Sequence, residues 1–174
     1  AFDKENIRLL ELRYSPDFML KAGLDWQKAH DIMASTLERF ERERPVVCGL
    51  ILIASRSYGL ESALKTADVA VKNKGTVIGF DFADNESDYP SAQYVPVAKR
   101  LHEAGIPLTV HSGEEGHFRQ IVETVGALAP RRIGHGVKAA DDASGETMEL
   151  IKRSGATVET NPWSNYHTRA VPSV

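Results

Sequence analysis

The sequence predicts the α/β class, with a parallel sheet of about six strand–helix units curled toward a barrel. Three observations carry this. Apolar, strand-like runs alternate with segments of helical period about ten residues or longer, the pattern of βαβ units. The strands begin near residues 8, 46, 76, 108, 132 and 157, a step of roughly 30 residues, the size of a βα repeat. Every strand except the second ends in polar residues that a buried strand does not require. In parallel α/β folds the carboxyl ends of the strands are where ligands bind. A chain of 174 residues fits a doubly wound open sheet by length alone, since eight units of a closed barrel need about 240. Chemistry spread over several consecutive strand ends favours the ring, because an open sheet concentrates it at one switch point.

The elements follow in order. Asn6 to Tyr14 reads as a buried strand stopped by Ser15-Pro16. Asp25 is an N-cap for a helix from Trp26 to Arg44, with Ile32, Leu37 and Phe40 on its inner face, and Pro45 ends it. Val46 to Ala54 is apolar without alternation, as expected of a strand covered on both faces. A helix from Leu60 to Asn73 closes on Lys74-Gly75. Thr76 to Asp81 is the third strand, Ser91 to Ala104 the third helix despite Pro96, and Ile106 to Val110 the fourth strand. Phe118 to Leu128 is helical, Arg132 to Gly136 a short strand, Gly145 to Ser154 helical, and Thr157 to Thr160 opens the sixth strand. With no low-complexity stretch or linker, residues 1–174 are expected to form a single, partial barrel domain.

Composition excludes several classes. Lys and Arg number 21 against 24 Asp and Glu, a net charge of −3, which argues against a broad nucleic-acid or anionic-membrane surface. The longest apolar run, Val46 to Ala54, is about half of the ~20 residues a membrane span needs. No basic N-region with an apolar stretch opens the chain, so no signal peptide is expected. The one cysteine, Cys48, excludes an internal disulfide framework and a Cys-rich zinc site and fits a reducing, cytoplasmic compartment.

The strand ends hold the candidate chemistry. The phosphate-binding glycine patterns and the GxSxG elbow are absent. Ser112 adjoins His111, but neighbours on a strand point to opposite faces, which disfavours a serine hydrolase. His111-Ser-Gly-Glu114 is the most informative segment. A neutral imidazole at a strand end suits a zinc ion, and an acid three residues on reaches the same cavity without ligating it. Metal-activated attack by water needs that division of roles. A capped strand with a solvated glutamate explains the four residues equally well. Gly134-His135-Gly136 places a second, uncrowded histidine at the next strand end, or merely in a turn. His30, His102, His117 and His167 read as packing or surface residues, Glu38 to Arg44 as a solvated helix end, and Asp141-Asp142 as a loop pair favouring a helix N-terminus.

Six segments in order resemble the adenosine deaminase family of zinc-dependent purine deaminases: Glu11 to Pro16, Ser55 to Gly59, Gly79 to Ala83 with Glu86, Thr109 to Glu114, Arg132 to Gly136, and Glu159 to Asn165. The resemblance covers nearly the whole chain. It implies a TIM-type (β/α)8 barrel with one Zn2+ at its carboxyl end, and hydrolytic replacement of a purine 6-amino group by oxygen with release of ammonia. It implies that His111 is a zinc ligand, that Glu114 protonates the ring nitrogen beside the attacked carbon, and that His135 orients the attacking water. Asp84 falls where the family usually has a glycine whose backbone amide meets the purine, so a charged side chain is expected beside the substrate. Asn161 stands where the family often has cysteine. The family's His-x-His pair on its first strand and Asp-Asp pair on its last are absent from this sequence. The chain is therefore expected to hold about six of eight units, with the first and last strands missing, and to be competent only together with those segments. A non-catalytic purine-binding remnant of the same fold, and an unrelated small α/β protein, are the alternatives. The expected partner is a purine nucleoside or base, with no nucleic acid and no membrane.

Overall fold

A computed structural model describes residues 4–173. Six strands form one parallel sheet in the order β1 to β6: β1 Leu9–Tyr14, β2 Val47–Ser55, β3 Val77–Ala83, β4 Leu108–Ser112, β5 Arg132–His135 and β6 Thr157–Glu159. Every strand neighbours its successor in sequence, without the reversal of order that defines a doubly wound sheet. The intervening helices are α1 Pro16–Leu20, α2 Trp26–Glu43, α3 Gly59–Lys72, α4 Val95–Glu103, α5 Phe118–Leu128 and α6 Glu146–Ser154, and α7 Pro162–His167 follows β6.

The sheet is curled. Strands lie about 4.8 Å apart, so in a flat sheet β1 and β6 would be roughly 24 Å apart, beyond the reach of any side-chain pair. Yet Arg13 on β1 donates to both carboxylate oxygens of Glu159 on β6 at 2.7 Å, and Arg132 on β5 donates to Glu11 on β1 at 2.5 and 2.9 Å. The inner face of this barrel sector is thus charged. The apolar core lies outside it, between sheet and helices. Leu50, Leu52, Phe80, Phe82, Leu108 and Val110 face Ala63, Ala67, Ala70, Tyr94, Val97 and Leu101 there, all buried. A smaller cluster of Ile121, Ile133, Ala139 and Ile151 serves β5 and α6.

Local differences from the sequence reading have simple causes. Pro16 and Pro162 start the short helices α1 and α7, where the sequence suggested only a stop and a polar strand end; a proline at the first helical position gives up no hydrogen bond. The third predicted helix divides into a 3₁₀ turn, Ser91–Tyr94, and α4, because Pro96 has no N–H to continue the ladder. The β4 ladder starts at Leu108 rather than Ile106, just after Pro107. Asn73, not Gly75, caps α3, its side chain donating to the Val69 carbonyl at 2.8 Å. Among the described residues no helix is long and apolar enough to cross a membrane.

Candidate active site

The strand period of two sends Phe80, Phe82 and Val110 into the core and leaves Asp81 and His111 on the inner face. Asp81 is fully buried. It accepts from Arg13 at 2.9 Å through one oxygen and meets His111 Nδ1 at 3.0 Å through the other. Burial alone would lower the His111 pKa, but the hydrogen bond and charge of Asp81, with Glu114 beyond, hold it above the ordinary histidine value. Gly134 sits opposite His111 in the β4–β5 register. A Cβ there would lie 3.3 Å from His111 Nδ1, so the missing side chain makes room for the ring.

The chain turns sharply where the strands end. Asp84 after β3 (φ 81), Gly113 after β4 (φ 70) and His135 with Gly136 at the end of β5 (φ 69 and 63) are all left-handed. For Asp84 and His135 that conformation is uncommon, and such backbone clusters at functional sites. His135 Nε2 comes to 3.3 Å from Glu114 Oε2, and the His111 and His135 ring centroids lie 5.1 Å apart. The structure thus brings His111, Glu114 and His135 into one site. A cavity of about 140 Å³ is lined by Asp84, Asn85, Glu86, His111, Glu114 and Glu115.

Asp84 sits at the edge of that cavity, with backbone geometry suited to glycine. Its carboxylate is drawn onto Ser55 Oγ at 2.6 Å, Ser57 Oγ, and the Asn85 amide at 2.8 Å. Burial would raise its pKa; the bonds from Ser55 and Ser57 and from the Asn85 and Ser57 amides outweigh it and hold the value below the ordinary one. Asp84 also borders a neighbouring, mostly apolar hollow of about 610 Å³ walled by Tyr14, Phe18, Met19 and Ile53. A hollow of about 690 Å³ at the opposite end, lined by His102, Arg131 and the loops entering β4 and β5, is not lined by His111 or His135.

Four residues with site functions carry no role in the sequence reading. Glu86, buried, accepts the backbone N–H groups of Gly113 (2.7 Å), Glu114 (2.9 Å), Glu115 (3.2 Å) and Gly116 (3.3 Å), and so fixes the loop bearing Glu114. Arg56 is fully buried and donates to the His111 carbonyl at 3.0 Å and the Tyr89 carbonyl at 2.9 Å. Asp81 orients His111, and Asn165 on α7 meets His135 Nδ1 at 2.6 Å. Asp81 inside an apolar strand and Arg56 directly after one carry a signal in the sequence, whereas Glu86 and Asn165 lie in segments beyond their strands; what each touches is set by the fold. The histidines read as structural behave so: His30 joins Tyr14 to Thr76 at 3.0 Å on each side, His102 meets the Leu128 carbonyl at 2.9 Å, and His117 caps α5.

As a metal site the arrangement is partial. With Nδ1–H on Asp81, His111 offers its Nε2 lone pair, the carboxylate-backed geometry of metal-binding histidines. Among the described residues no three His, Cys, Asp or Glu side chains converge to hold an ion. A catalytic zinc needs about three protein ligands, so these residues fit one ligand position and not a whole site.

Comparison with known proteins gives the family and the fold. The sequence model of the family described as adenosine deaminase matches residues 2–174. An adenosine deaminase of Shewanella pealeana is 30% identical over 173 residues, covering 98% of this chain and 51% of that protein. The adenine deaminase of Arthrobacter aurescens superimposes with a TM-score of 0.88 at 24% identity, covering 99% of this chain and 52% of that one. An amidohydrolase from Burkhoderia ambifaria, solved with bound Zn, gives 0.85 at 21% identity, covering 96% and 46%. The chain spans about half the length of the curated relatives it matches.

Proposed function

The chain belongs to the adenosine deaminase family, and from that premise we propose that its site serves the zinc-dependent hydrolytic deamination of adenosine or a related 6-aminopurine, giving the 6-oxo purine and ammonia. The observation that carries this reading is the meeting of three groups with separable tasks: His111 backed by Asp81, Glu114 held on its clamped loop, and His135 in contact with Glu114. Adenosine and adenine deaminases among the relatives support the substrate class.

Each group has a distinct role. His111 Nε2 would hold the zinc as one ligand, the others coming from segments outside these residues. Zinc, when bound, supplies the Lewis acidity that activates a water for attack. Glu114 donates a proton to the ring nitrogen next to the attacked carbon, which lets the ring accept the incoming electron pair. His135 orients the attacking water and accepts its proton. Asp84 borders the purine edge, its carboxylate tethered to Ser55 and Ser57 and its backbone kept in the glycine-like turn. The 174-residue chain by itself is expected to bind no stoichiometric zinc and to turn over no purine, because its described residues offer one ligand of the three needed.

The test is a complete polypeptide carrying this segment, assayed for loss of adenosine absorbance and for metal content after dialysis. The expected result is turnover with one zinc per chain, and a loss of at least about 100-fold in kcat for Glu114→Gln. A zinc-loaded protein that leaves adenosine, adenine and related purines untouched overturns the reading. Purine binding without zinc or turnover assigns the fold to binding instead. Full activity in Glu114→Gln removes the assigned acid.

A further inference from the structure

We propose that Asn165 is a positioning residue that fixes the tautomer of His135, placing the proton on Nδ1 and presenting Nε2 to the reacting groups as a lone pair. Its kinetic consequence rests on the deaminase reading; its geometry does not.

His135 is buried, and both ring nitrogens are engaged: Nδ1 lies 2.6 Å from Asn165 Oδ1 and Nε2 lies 3.3 Å from Glu114 Oε2. A neutral imidazole carries one N–H, and an amide oxygen only accepts. The short contact therefore assigns the proton to Nδ1, and Nε2 is left as a lone pair that accepts from Glu114 in the protonated form its acid role requires. Asn165 is buried too and held at both backbone groups: its N–H donates to the Asn161 carbonyl at 2.9 Å and its carbonyl accepts from Val171 at 3.2 Å. The segment after β6 thus carries a fixed acceptor to the back of the His135 ring. His111 is oriented through the same nitrogen, but by the carboxylate of Asp81. The two rings, 5.1 Å apart, thus share a tautomer and differ in the charge behind them. An amide directs the His135 proton without adding a second negative charge beside Glu114.

The experiment is a long-range ¹H–¹⁵N spectrum of the complete polypeptide labelled at histidine, with the His135 signals identified by their loss in His135→Gln. Expected is a pyrrole-type Nδ1 and a pyridine-type Nε2. Asn165→Ala should mix the tautomers and lower kcat on a 6-aminopurine by about 10- to 100-fold, with KM moving by less than about threefold. Asn165→Asp, an acceptor of the same shape, should keep the proton on Nδ1 and recover part of the kcat lost in Asn165→Ala, the remainder reflecting the added negative charge beside Glu114. A wild-type proton on Nε2, which would mean that the amide presents its Nδ2 to the ring, overturns the proposal. So does an Asn165→Ala protein with an unchanged tautomer, or a loss confined to KM. If the wild type turns over no purine, the deaminase reading fails while the wild-type nitrogen spectrum still decides the tautomer, without any variant having to fold.

Discussion

At the scale of single residues, the candidate site depends on groups that hold other groups. Glu86 gathers four backbone N–H donors on one buried carboxylate. Replacing it with glutamine removes the charge and turns an NH2 toward donors, so part of the set loses its acceptor. A cost of about 1–3 kcal/mol is expected, read by chemical denaturation. The same variant should lose hydrogen-exchange protection at the amides of residues 113–116 while the core strands keep theirs. Unchanged exchange there would show that the loop holds itself. His111, Glu114, His135 and Asp84 were legible in the sequence as polar residues at strand ends. Glu86 and Asn165 were visible as polar residues but not as partners, because Glu86 and Gly113 are 27 positions apart and His135 and Asn165 are 30.

At the scale of elements, two glycines decide where the loops can run. A Cβ at Gly113 would meet the buried Ile121 side chain at 2.4 Å, and the backbone there is left-handed. Gly113→Ala is therefore expected to cost about 2–4 kcal/mol, combining backbone strain with overpacking, and to lower the thermal midpoint. Gly134→Ala meets the His111 ring at 3.3 Å without a backbone penalty. Its stability loss should be near 1 kcal/mol, with the larger effect on whatever depends on the His111 orientation. A Gly134→Ala protein with full purine turnover would show that the ring has slack. The strands and longer helices were legible because their period and breakers are local. The short helices α1 and α7 were not, since five and six residues carry too little periodicity to be read.

At the scale of the whole molecule, ion pairs on the inner face join strands that share no backbone bonds. Arg13 is the pivot, pairing with Asp81 on β3 and Glu159 on β6. Arg13→Met would strand the fully buried Asp81 with the His111 ring as its one side-chain partner among the described residues. A loss on the order of 3 kcal/mol is expected, measured by urea denaturation. The Glu11–Arg132 pair gives a pH signature. The hydrogen bond from Arg132, helped by the charges of Arg132 and Arg13 and opposed by burial, lowers the Glu11 pKa from its ordinary 4.5. A lowered carboxylate contributes stability that is fully present above the unfolded value and is lost as pH falls through the folded one. Glu11→Gln should therefore lose up to about 1 kcal/mol near neutrality, a modest amount for a partly exposed pair. The gap to wild type should shrink below pH 4.5. A gap that widens in acid would contradict the assigned pairing.

The sequence by itself determined the α/β class, the order of the six units, and the strand ends as the place for chemistry. Those properties follow from local period, from turn residues and from the alternation of side chains along a strand. It also carried the family, since six motifs in order survive without any knowledge of contacts. The strand-end chemistry also pointed to a curled, barrel-like sheet; only the tertiary structure decided that Asp81 and Asn165 stand behind the two histidines, that Glu86 clamps the acid's loop, and that Asp84 turns its charge onto two serines. Each of these joins residues on different strands or loops, and such pairings depend on curvature and on left-handed turns that no sequence spacing encodes.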